Sequence, residues 1–333
     1  MESADVQQLF FQHIKDQLPA HLSLVDEVAA LLNISNDSAY RRIRAEKPIG
    51  FDELQKLCSH YKISLDHFLH LQSDAIIFTG RVNTSSATVF EDYLKNILQH
   101  FQMINSFEKK HFYVLMKDIP PFVHFQIPEL AKFKFYFWMK SILQDERLKK
   151  RQFYLDDTLY DEFLPLSRQV IEAYNKIPVT EIWNIESINS SLRQIDFYRQ
   201  SGVYKNKSEI KFLYEKVEEL VNHIERQAES GAKFLIGAEP GNNAAAYNMF
   251  VNELILGDNT FMAEIGDMRV TFLNHSILYF VGTKDEQFNN AMHNSLTNLM
   301  KKSTQLSRIG EKERVRFFNR LRDKIQHMKT IPV

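Results

Sequence analysis

The stretch NISNDSAYRRIRAEKP, at positions 33–48, decides how the N-terminal part of this chain folds. Asn33 stands where a preceding helix has to stop, because asparagine tolerates the left-handed backbone conformation that a tight turn needs. Ser35 can then cap a new helix that runs from about 36 to 46, and Pro48 lies in the segment that breaks it. The stretch is rich in basic side chains although the whole chain has a formal net charge of −1, so the question is what these cations contact.

Around this stretch, residues 1–71 follow the pattern of a compact five-helix domain. Apolar residues recur at helical spacing from position 6 to position 18, which predicts a first helix that ends before Pro19. Ser23 can cap a second helix, SLVDEVAALL, and FDELQKLCSHY predicts a fourth. A short fifth helix, SLDHFLHL, has Ser64 as its cap. The predicted fold class of the whole chain is mainly α, with a smaller α+β part towards its C-terminus.

The second and third helices are predicted to pack closely across a short turn. Ala29 lies four residues before Asn33, and a small residue there lets two helices cross at short distance. On the third helix, Ala39 and Ile43 point inward because they are spaced one turn apart. The residues that share the opposite, outward face are Asp37, Tyr40, Arg41 and Arg44. The two helices therefore predict a helix-turn-helix with a basic, hydrogen-bonding outer face.

That outer face suits duplex DNA, because the major groove admits one α-helix and arginine can bond a guanine edge with two hydrogen bonds. Arg41 and Arg44 are candidates for contacts with base edges or phosphates, and Tyr40 for contact with the sugar-phosphate or a thymine methyl. Arg42 and Lys47 are candidates for backbone phosphates. The predicted DNA-binding residues are Ser35, Asn36, Asp37, Ser38, Tyr40, Arg41, Arg42, Arg44 and Lys47.

The segment SLVDEVAALLNISNDSAYRRIRAEKPIGFDELQKLCSHYKISLDHFL resembles the phage-repressor/Cro type of helix-turn-helix domain, that of the xenobiotic-response-element-like regulators. The resemblance covers about positions 22–71 and includes the order of five helices. Asn33 stands where the family usually has a turn glycine. The family usually has an apolar residue near the middle of the third helix. In this chain that residue is Ile43, one place later than in the commonest pattern, and Arg42 occupies the usual apolar position. The resemblance implies a transcriptional regulator. The rest of the chain vaguely resembles uncharacterised large regulators of Bacteroidetes-type bacteria through KDIPPFVHFQIPELAKFKFYFW, which implies no chemistry.

The uneven distribution of charge predicts a homodimer. The first 71 residues contain seven Lys/Arg and ten Asp/Glu, so one copy offers few cations to a polyanion. Binding to DNA gains from each phosphate that a cation neutralises, and a second copy doubles the number of cations. Positions 301–329 hold ten Lys/Arg against three Asp/Glu. This basic tail is an amphipathic helix whose apolar stripe, at 315, 318, 321 and 325, favours packing over contact with phosphate.

Beyond the N-terminal domain, the pattern predicts a linker and two further regions. Positions 72–88 contain a small, polar run and form the linker. Positions 89–230 are mostly helical, with HFYVLMKD as a candidate strand. Positions 231–333 form an α+β region for sensing or dimerisation, in which AKFLIGA, TFMAEI, MRVTF and SILYFVG alternate as in an antiparallel meander. The candidate two-residue hairpin turns are Gly266-Asp267 and Asn274-His275.

The composition indicates a soluble cytoplasmic protein without a cofactor. Cys58 is the single cysteine, so no internal disulfide and no thiolate cluster for a metal is expected. The N-terminus carries acids and no cleavable apolar run, and no stretch reaches the roughly 18 apolar residues of a membrane span. His67 and His70, with His60 before them, do not predict a metal site, because the i, i+3 pair His67 and His70 has no third ligand nearby. No hydrolase, redox or phosphate-loop motif occurs, so no enzyme is predicted.

These features together predict a dimeric, sequence-specific DNA-binding transcriptional regulator with a C-terminal regulatory or dimerisation region. No residue identifies an effector, either a small molecule or a protein. Two alternatives stay open. In one, the N-terminal helices bind a protein partner in a signalling or scaffold protein. In the other, the C-terminal region is an enzyme that the helix-turn-helix directs to its target. The aromatic run at 133–138 is predicted to be core, with a ligand pocket lined by these rings as the alternative.

Overall fold

The computed structural model describes residues 3–19, 22–69, 76–80, 89–115, 117–254, 259–274, 276 and 278–332. The chain divides into two compact units, Met1–Ile77 and Phe78–Val333, which we call unit 1 and unit 2. The sequence predicted a further boundary at 230/231, but both sides of it belong to unit 2, because strand Lys110–Leu115 pairs along its whole length with strand Thr260–Ile265. The coarse fold class, mainly α with a β part, is confirmed.

Unit 1 is helical in its described part. Its helices lie close to the spans that the apolar spacing predicted, and their inward faces meet in one core. The buried members of this core are Phe10, Phe11, Ile14, Val28, Ala29, Leu32, Ala39 and Leu57. The helices are α1 (Ser3–Gln17), α2 (Leu24–Leu32), α3 (Asn36–Ile43), α4 (Phe51–Tyr61) and α5 (Leu65–Phe68).

The turn between α2 and α3 has the local geometry that its residues predicted. Asn33 adopts the left-handed conformation with a φ of 54°, which ends α2. Ser35 caps α3, since its hydroxyl accepts a hydrogen bond from the amide of Ser38 at 3.3 Å. Ser23 precedes α2 as predicted, but its side chain makes no capping hydrogen bond.

The helix α3 ends at Ile43 rather than near position 46, because the chain enters the left-handed region at Ala45 with a φ of 58°. The amide of Glu46 donates to the carbonyl of Arg41 at 2.8 Å, and the amide of Ala45 donates to the carbonyl of Arg42 at 2.9 Å. These are the two bonds of a Schellman motif, a helix ending that glycine usually forms. An alanine at this position gives no sequence signal, which explains why the predicted helix was too long.

Unit 2 is built on a mixed β-sheet with the strand order β1-β7-β6-β5-β2-β3-β4-β8. Its centre is parallel from β2 through β3 to β4, and the other pairings are antiparallel. The strands β5, β6 and β7 pair in chain order. The strands are β1 (Thr79–Gly80), β2 (Lys110–Leu115), β3 (Val179–Trp183), β4 (Tyr247–Val251), β5 (Thr260–Ile265), β6 (Met268–Asn274), β7 (Phe280–Thr283) and β8 (Thr304–Gln305).

The sheet differs from the predicted one in its composition. The candidate strand HFYVLMKD is present as β2, but β3 and β4 were not predicted. AKFLIGA forms no strand, and Ala232 within it makes an isolated bridge to Ala246. Gly266 and Asp267 do form a two-residue turn between β5 and β6. The two-residue turn predicted at Asn274-His275 is wrong, because five residues separate the end of β6 from the start of β7; His275 itself lies outside the described residues.

Helices cover both faces of the sheet. Phe112 and Val114 of β2 point into the larger core, together with the helices before α11 and with α12. Leu115 points to the other face, where Leu296 of α11 packs on it, because side chains alternate along a strand. The helices are α6 (Val89–Asn105), α7 (Pro128–Phe137), α8 (Leu164–Tyr174), α9 (Asn189–Gln200), α10 (Ser208–Ser230), α11 (Glu286–Lys301) and α12 (Glu311–Thr330).

The basic tail packs within unit 2 as helix α12. Phe318, Leu321 and Ile325 are fully buried, as the apolar stripe predicted, whereas Val315 is 44% exposed. The cations of α12 pair with acids of the same unit, for example Arg322 with Glu225 at 2.6 Å. Acids of unit 2 therefore neutralise most of the excess positive charge of the tail.

The predicted linker at 72–88 is described in part. Positions 72–75 and 81–88 lie outside the described residues. Phe78 packs edge-on against Phe288 with ring centres 5.4 Å apart, and Thr79–Gly80 joins the sheet as β1. These residues belong to unit 2. Within the described ranges, every helix is too short or too polar to cross a membrane.

Candidate nucleic-acid interface

The helix α3 has one face in the core of unit 1 and the other in solvent. Ala39 is completely buried, and Ile43 packs against the same core as a partly buried residue. Both therefore point inward, as their spacing predicted. Tyr40 and Arg41 lie on the opposite side and are exposed, Tyr40 by 48% of its surface. This division orients α3 so that, among the described residues, its outward face is exposed.

Most of the predicted DNA-binding residues lie at the surface. Ser38 is half-buried, and its carbonyl accepts a hydrogen bond from the guanidinium of Arg42. The exposed members of the set are Ser35, Asn36, Asp37, Tyr40, Arg41, Arg44 and Lys47. The structure thus collects these side chains along the first turn, the outward face and the end of α3.

The structure places Arg42 in the interior of unit 1, which argues against the prediction that it contacts a backbone phosphate. The residue is 6% exposed and lies on the inner side of α3. Its guanidinium donates to both carboxylate oxygens of Glu53, at 2.6 and 2.9 Å, and to the carbonyl of Ser38 at 3.0 Å. The physical reason is the position three residues after Ala39, which places Arg42 on the same face as that core residue. All the charge of Arg42 is thus engaged within unit 1.

The pair of Arg42 and Glu53 joins α3 to the start of α4. Glu53 also accepts the amide of Gly50 at 3.2 Å, which caps the first turn of α4. The hydrogen bond from Arg42 holds the pKa of the Glu53 carboxylate below its ordinary value, and the same bond raises the pKa of Arg42. A fork of two charged hydrogen bonds is a strong and directional contact. It therefore fixes the angle at which α3 is presented.

Gln7 of α1 is a functional candidate that the sequence did not reveal. Its amide nitrogen donates to the carbonyls of Arg42 and Lys47 at 2.7 and 2.8 Å, and its amide oxygen accepts the amide of Ile49 at 3.1 Å. The end of a helix leaves carbonyls without partners, and a side chain from another helix can satisfy them. Gln7 thus clamps the end of α3 and the loop after it. A lone glutamine on a helix gives no signal for this role.

The exposed cations of α3 have few acidic partners. Arg44 lies over the ring of Tyr40, 5.5 Å from its centre, and Arg44 Nε is 3.4 Å from a carboxylate oxygen of Glu46. Both side chains of that ion pair are about half exposed, so the pair is weak and easily exchanged for another anion. Arg41 has no ion pair in the part of the chain that the structure describes. The cations on this face are therefore available to pair with an external anion.

The start of α3 is held to α2 by a side-chain contact. Asn36 donates its amide to Asp26 of α2 at 2.9 Å. Ser35 donates its hydroxyl to that of Ser38 at 3.1 Å, in addition to its capping role. These bonds position the first turn of α3, and both Ser35 and Asn36 remain exposed residues.

Comparisons of the chain with models of protein families, with curated proteins and with solved structures find no match.

Proposed function

We propose that this protein is a sequence-specific DNA-binding transcriptional regulator, and that α3 is the helix that enters the major groove. The observation that carries the proposal is the outward face of α3, where Tyr40, Arg41 and Arg44 stand in solvent while the opposite face is fixed in the core. A helix of this width fits the major groove of B-DNA. Unit 1 supplies the recognition helix, and α2 crosses the DNA backbone, as in other helix-turn-helix proteins.

The chemistry of the exposed residues supports both kinds of DNA contact. Arg41 and Arg44 can donate two parallel hydrogen bonds to a guanine edge, which distinguishes one base pair from another. Asp37 can accept a hydrogen bond from the amino group of cytosine. Lys47, Ser35 and the amides at the start of α3 suit phosphate oxygens, which set the register of the protein on the duplex.

The number of free cations supports a dimer. Arg42 neutralises Glu53, so Arg41, Arg44 and Lys47 are the basic side chains left for DNA in and after α3. Few phosphates can then be neutralised by one copy, and affinity rises with each additional one. Two copies that place their α3 helices in successive major grooves, about 34 Å apart, would double that number and read a palindromic site. Unit 2 is the proposed dimerisation and regulatory region, without catalytic activity.

The test is selection of bound sequences from a pool of random duplexes, followed by fluorescence anisotropy of the full-length protein on the enriched sequence. Binding is compared at two salt concentrations in the wild type and in Arg41→Ala/Arg44→Ala. The control is Lys56→Ala/Lys62→Ala, which removes the same charge from exposed positions of unit 1 outside α3. We expect an enriched, palindromic motif, steep salt dependence, and loss of binding in the α3 variant.

Three other results would count against the proposal. Absence of salt-sensitive binding at any concentration would exclude DNA as the partner and leave the competing hypothesis that these helices dock a protein. Equal losses in the two double variants would show non-specific attraction to charge rather than recognition by α3. Binding without any enriched motif would exclude a sequence-specific regulator.

A further inference from the structure

Unit 2 contains a cleft of about 1130 Å³ at the carboxyl ends of the parallel strands β2 and β3. Lys117 and Asp118 follow β2, and Glu186 follows β3. The opposite wall is α9, which contributes Arg193 and Gln194. In sheets with parallel strands, loops at this edge form ligand sites, because the strands point their carboxyl ends and the following loops to one place. The volume is sufficient for a metabolite of moderate size.

The floor of the cleft contains a buried lysine. Lys134 is 3% exposed, and its ammonium donates to the hydroxyl of Ser191 at 2.9 Å and to the amide oxygen of Gln194 at 2.8 Å. The nearby Asp118 has one carboxylate oxygen buried without a hydrogen-bond partner. Burial lowers the pKa of Lys134 to about 8, so its ammonium is still charged at neutral pH. Burying a charge costs free energy unless the charge is paired and hydrogen-bonded. The buried ammonium of Lys134 therefore distinguishes this cleft from an ordinary surface groove.

The charges around the cleft leave an excess of positive charge. Besides Lys117, the cleft is lined by two cations, Lys134 and Arg193, and by two acids, Asp118 and Glu186. Glu186 is already paired with Lys324 of α12 at 3.0 Å. Arg193 is exposed and has no ion pair among the described residues. A ligand that enters the cleft therefore meets a cationic rim, which favours an anion.

The same wall carries an aromatic surface. Phe197 is one helical turn after Arg193, lines the cleft and is 59% exposed, an unusual exposure for a phenylalanine. Phe137 and Trp138 of the aromatic run contribute the neighbouring wall. Aromatic rings stack on flat ligands, and an arginine one turn away can hold an acidic group attached to such a ligand. The aromatic run is thus both core and part of a cleft.

We infer that this cleft binds a small organic anion with a planar ring, whose acidic group pairs with Arg193 and whose ring packs on Phe197. The acidic group is either a carboxylate or a phosphate, since both accept the same charged hydrogen bonds. The inference does not depend on DNA binding, because it concerns residues of unit 2 alone.

The experiment is isothermal titration of the full-length protein with two matched pairs of probes. AMP is compared with adenosine, and benzoate with benzamide, so that each anion has a neutral counterpart with the same ring. We expect at least one of the two anions to bind with a Kd below about 1 mM, and its neutral counterpart about tenfold or more weakly. The member that binds identifies the acidic group as phosphate or carboxylate.

Variants of exposed residues locate the site without disturbing the fold. Arg193→Ala and Phe197→Ala should each weaken binding by about tenfold, the expected loss of a charged hydrogen bond or a stacking surface. The control is Arg168→Ala on α8, an exposed arginine paired with Glu172, which should leave the Kd unchanged. Failure of both anions to bind, equal binding of the neutral probes, or binding that survives both cleft variants would overturn the inference.

Discussion

The outward face of α3 and the interior of unit 2 both carry basic side chains, but in opposite surroundings. Arg41 stands in solvent without an ion pair in the described part of the chain. Lys233 of unit 2 is 4% exposed, and its ammonium lies 3.5 Å from Glu181. The same ammonium lies over the rings of Tyr174 and Tyr247, 4.7 and 4.4 Å from their centres. Burial lowers the pKa of Lys233, whereas the nearby Glu181 opposes that shift.

The comparison distinguishes buried charges, which stabilise the fold, from exposed charges, which are available to bind a partner. Glu181 accepts hydrogen bonds from Tyr174 at 2.5 Å, Trp183 at 2.8 Å and Tyr247 at 3.0 Å, so its oxygens are satisfied within unit 2. Such a network stabilises one packing of the core. An arginine in water contributes little to folding, and its charge is available to an external anion. Arg42 belongs to the first kind although it lies on α3 next to Arg41.

Removal of Glu181 should have the largest effect on stability. Glu181→Ala leaves Lys233 without its counter-charge and removes the acceptor of three buried donors. We expect the free energy of unfolding of unit 2 to fall by about 3–5 kcal/mol. Urea unfolding followed by tryptophan fluorescence measures it, because both tryptophans, Trp138 and Trp183, belong to unit 2.

The matched control for that loss is an exposed ion pair of the same unit. Glu172→Ala removes the partner of Arg168, whose side chain is 48% exposed. The free energy of unfolding should change by less than about 1 kcal/mol. Equal effects of Glu172→Ala and Glu181→Ala would contradict the view that the buried network holds the core.

Replacement of Arg42 tests whether this arginine belongs to the fold. Arg42→Met should destabilise unit 1 by about 1–3 kcal/mol, because Glu53 loses its fork of hydrogen bonds. Arg41→Met should change stability by less than about 0.5 kcal/mol. Hydrogen exchange of the amides of α3 and α4 measures both, and the reverse order would show that Arg42 is dispensable to the fold.

The sequence predicted the local features of unit 1 but not this ion pair. Asn33 and Ser35 act on neighbouring backbone atoms, so the turn and the cap could be predicted from a few residues. The pairing of Arg42 with a residue on the next helix is not local. A signal did exist, since Arg42 follows Ala39 by three positions and Glu53 stands at the third position of α4, where a capping carboxylate is common.

The parallel centre of the sheet could not be predicted for a related reason. β3 is buried along its whole length, and a buried parallel strand lacks the alternation of apolar and polar residues that marks an exposed one. Glu181 in the middle of β3 also argues against a buried strand when only the sequence is known. Its buried partners come from α8, β4 and the segment after α10, so they cannot be identified from the neighbouring residues. The aromatic run at 133–138 gave a ligand pocket only as an alternative, and the charged lining of the cleft was not predicted, since Lys134 and Arg193 lie on elements that are far apart in sequence.

The stability of unit 2 should decrease on acidification because of a buried histidine. Burial lowers the pKa of His223 to about 4, and its Nε2 donates to the carbonyl of Phe234 at 3.0 Å. Between the ordinary histidine pKa of about 6.5 and this value, the unfolded chain binds a proton that the folded chain does not. The free energy of unfolding therefore falls as pH falls through this window, by up to about 1.4 kcal/mol per pH unit from this group.

The variant His223→Gln removes that titration and should flatten the pH dependence between pH 6.5 and about 4. His327→Gln, at an exposed position of α12, serves as the control and should leave the dependence as in the wild type. Unfolding at a series of pH values, followed by tryptophan fluorescence, checks both. An unchanged dependence in His223→Gln would show that other groups cause the loss of stability.

The smallest expected effect is a gain in stability at the end of α3. Ala45 has a φ of 58°, a conformation that costs a residue with a Cβ roughly 1 kcal/mol and glycine almost nothing. Ala45→Gly should therefore stabilise unit 1 by about 0.5–1 kcal/mol. Hydrogen exchange of the α3 amides measures the gain. Slower exchange supports the Schellman ending, and faster exchange would contradict it.

The most direct test of the central claim is the salt dependence of DNA binding in two neighbouring variants. The slope of log K against log salt is measured on the selected duplex for the wild type, Arg41→Ala and Arg42→Met, with folding of each verified by circular dichroism. We predict that Arg41→Ala reduces the slope by up to about 1 per protomer, because one cation that faces the duplex is lost, and that Arg42→Met leaves it unchanged. A wild-type slope in Arg41→Ala, or a reduced slope in Arg42→Met alone, would contradict the assignment of the outward face of α3 to DNA.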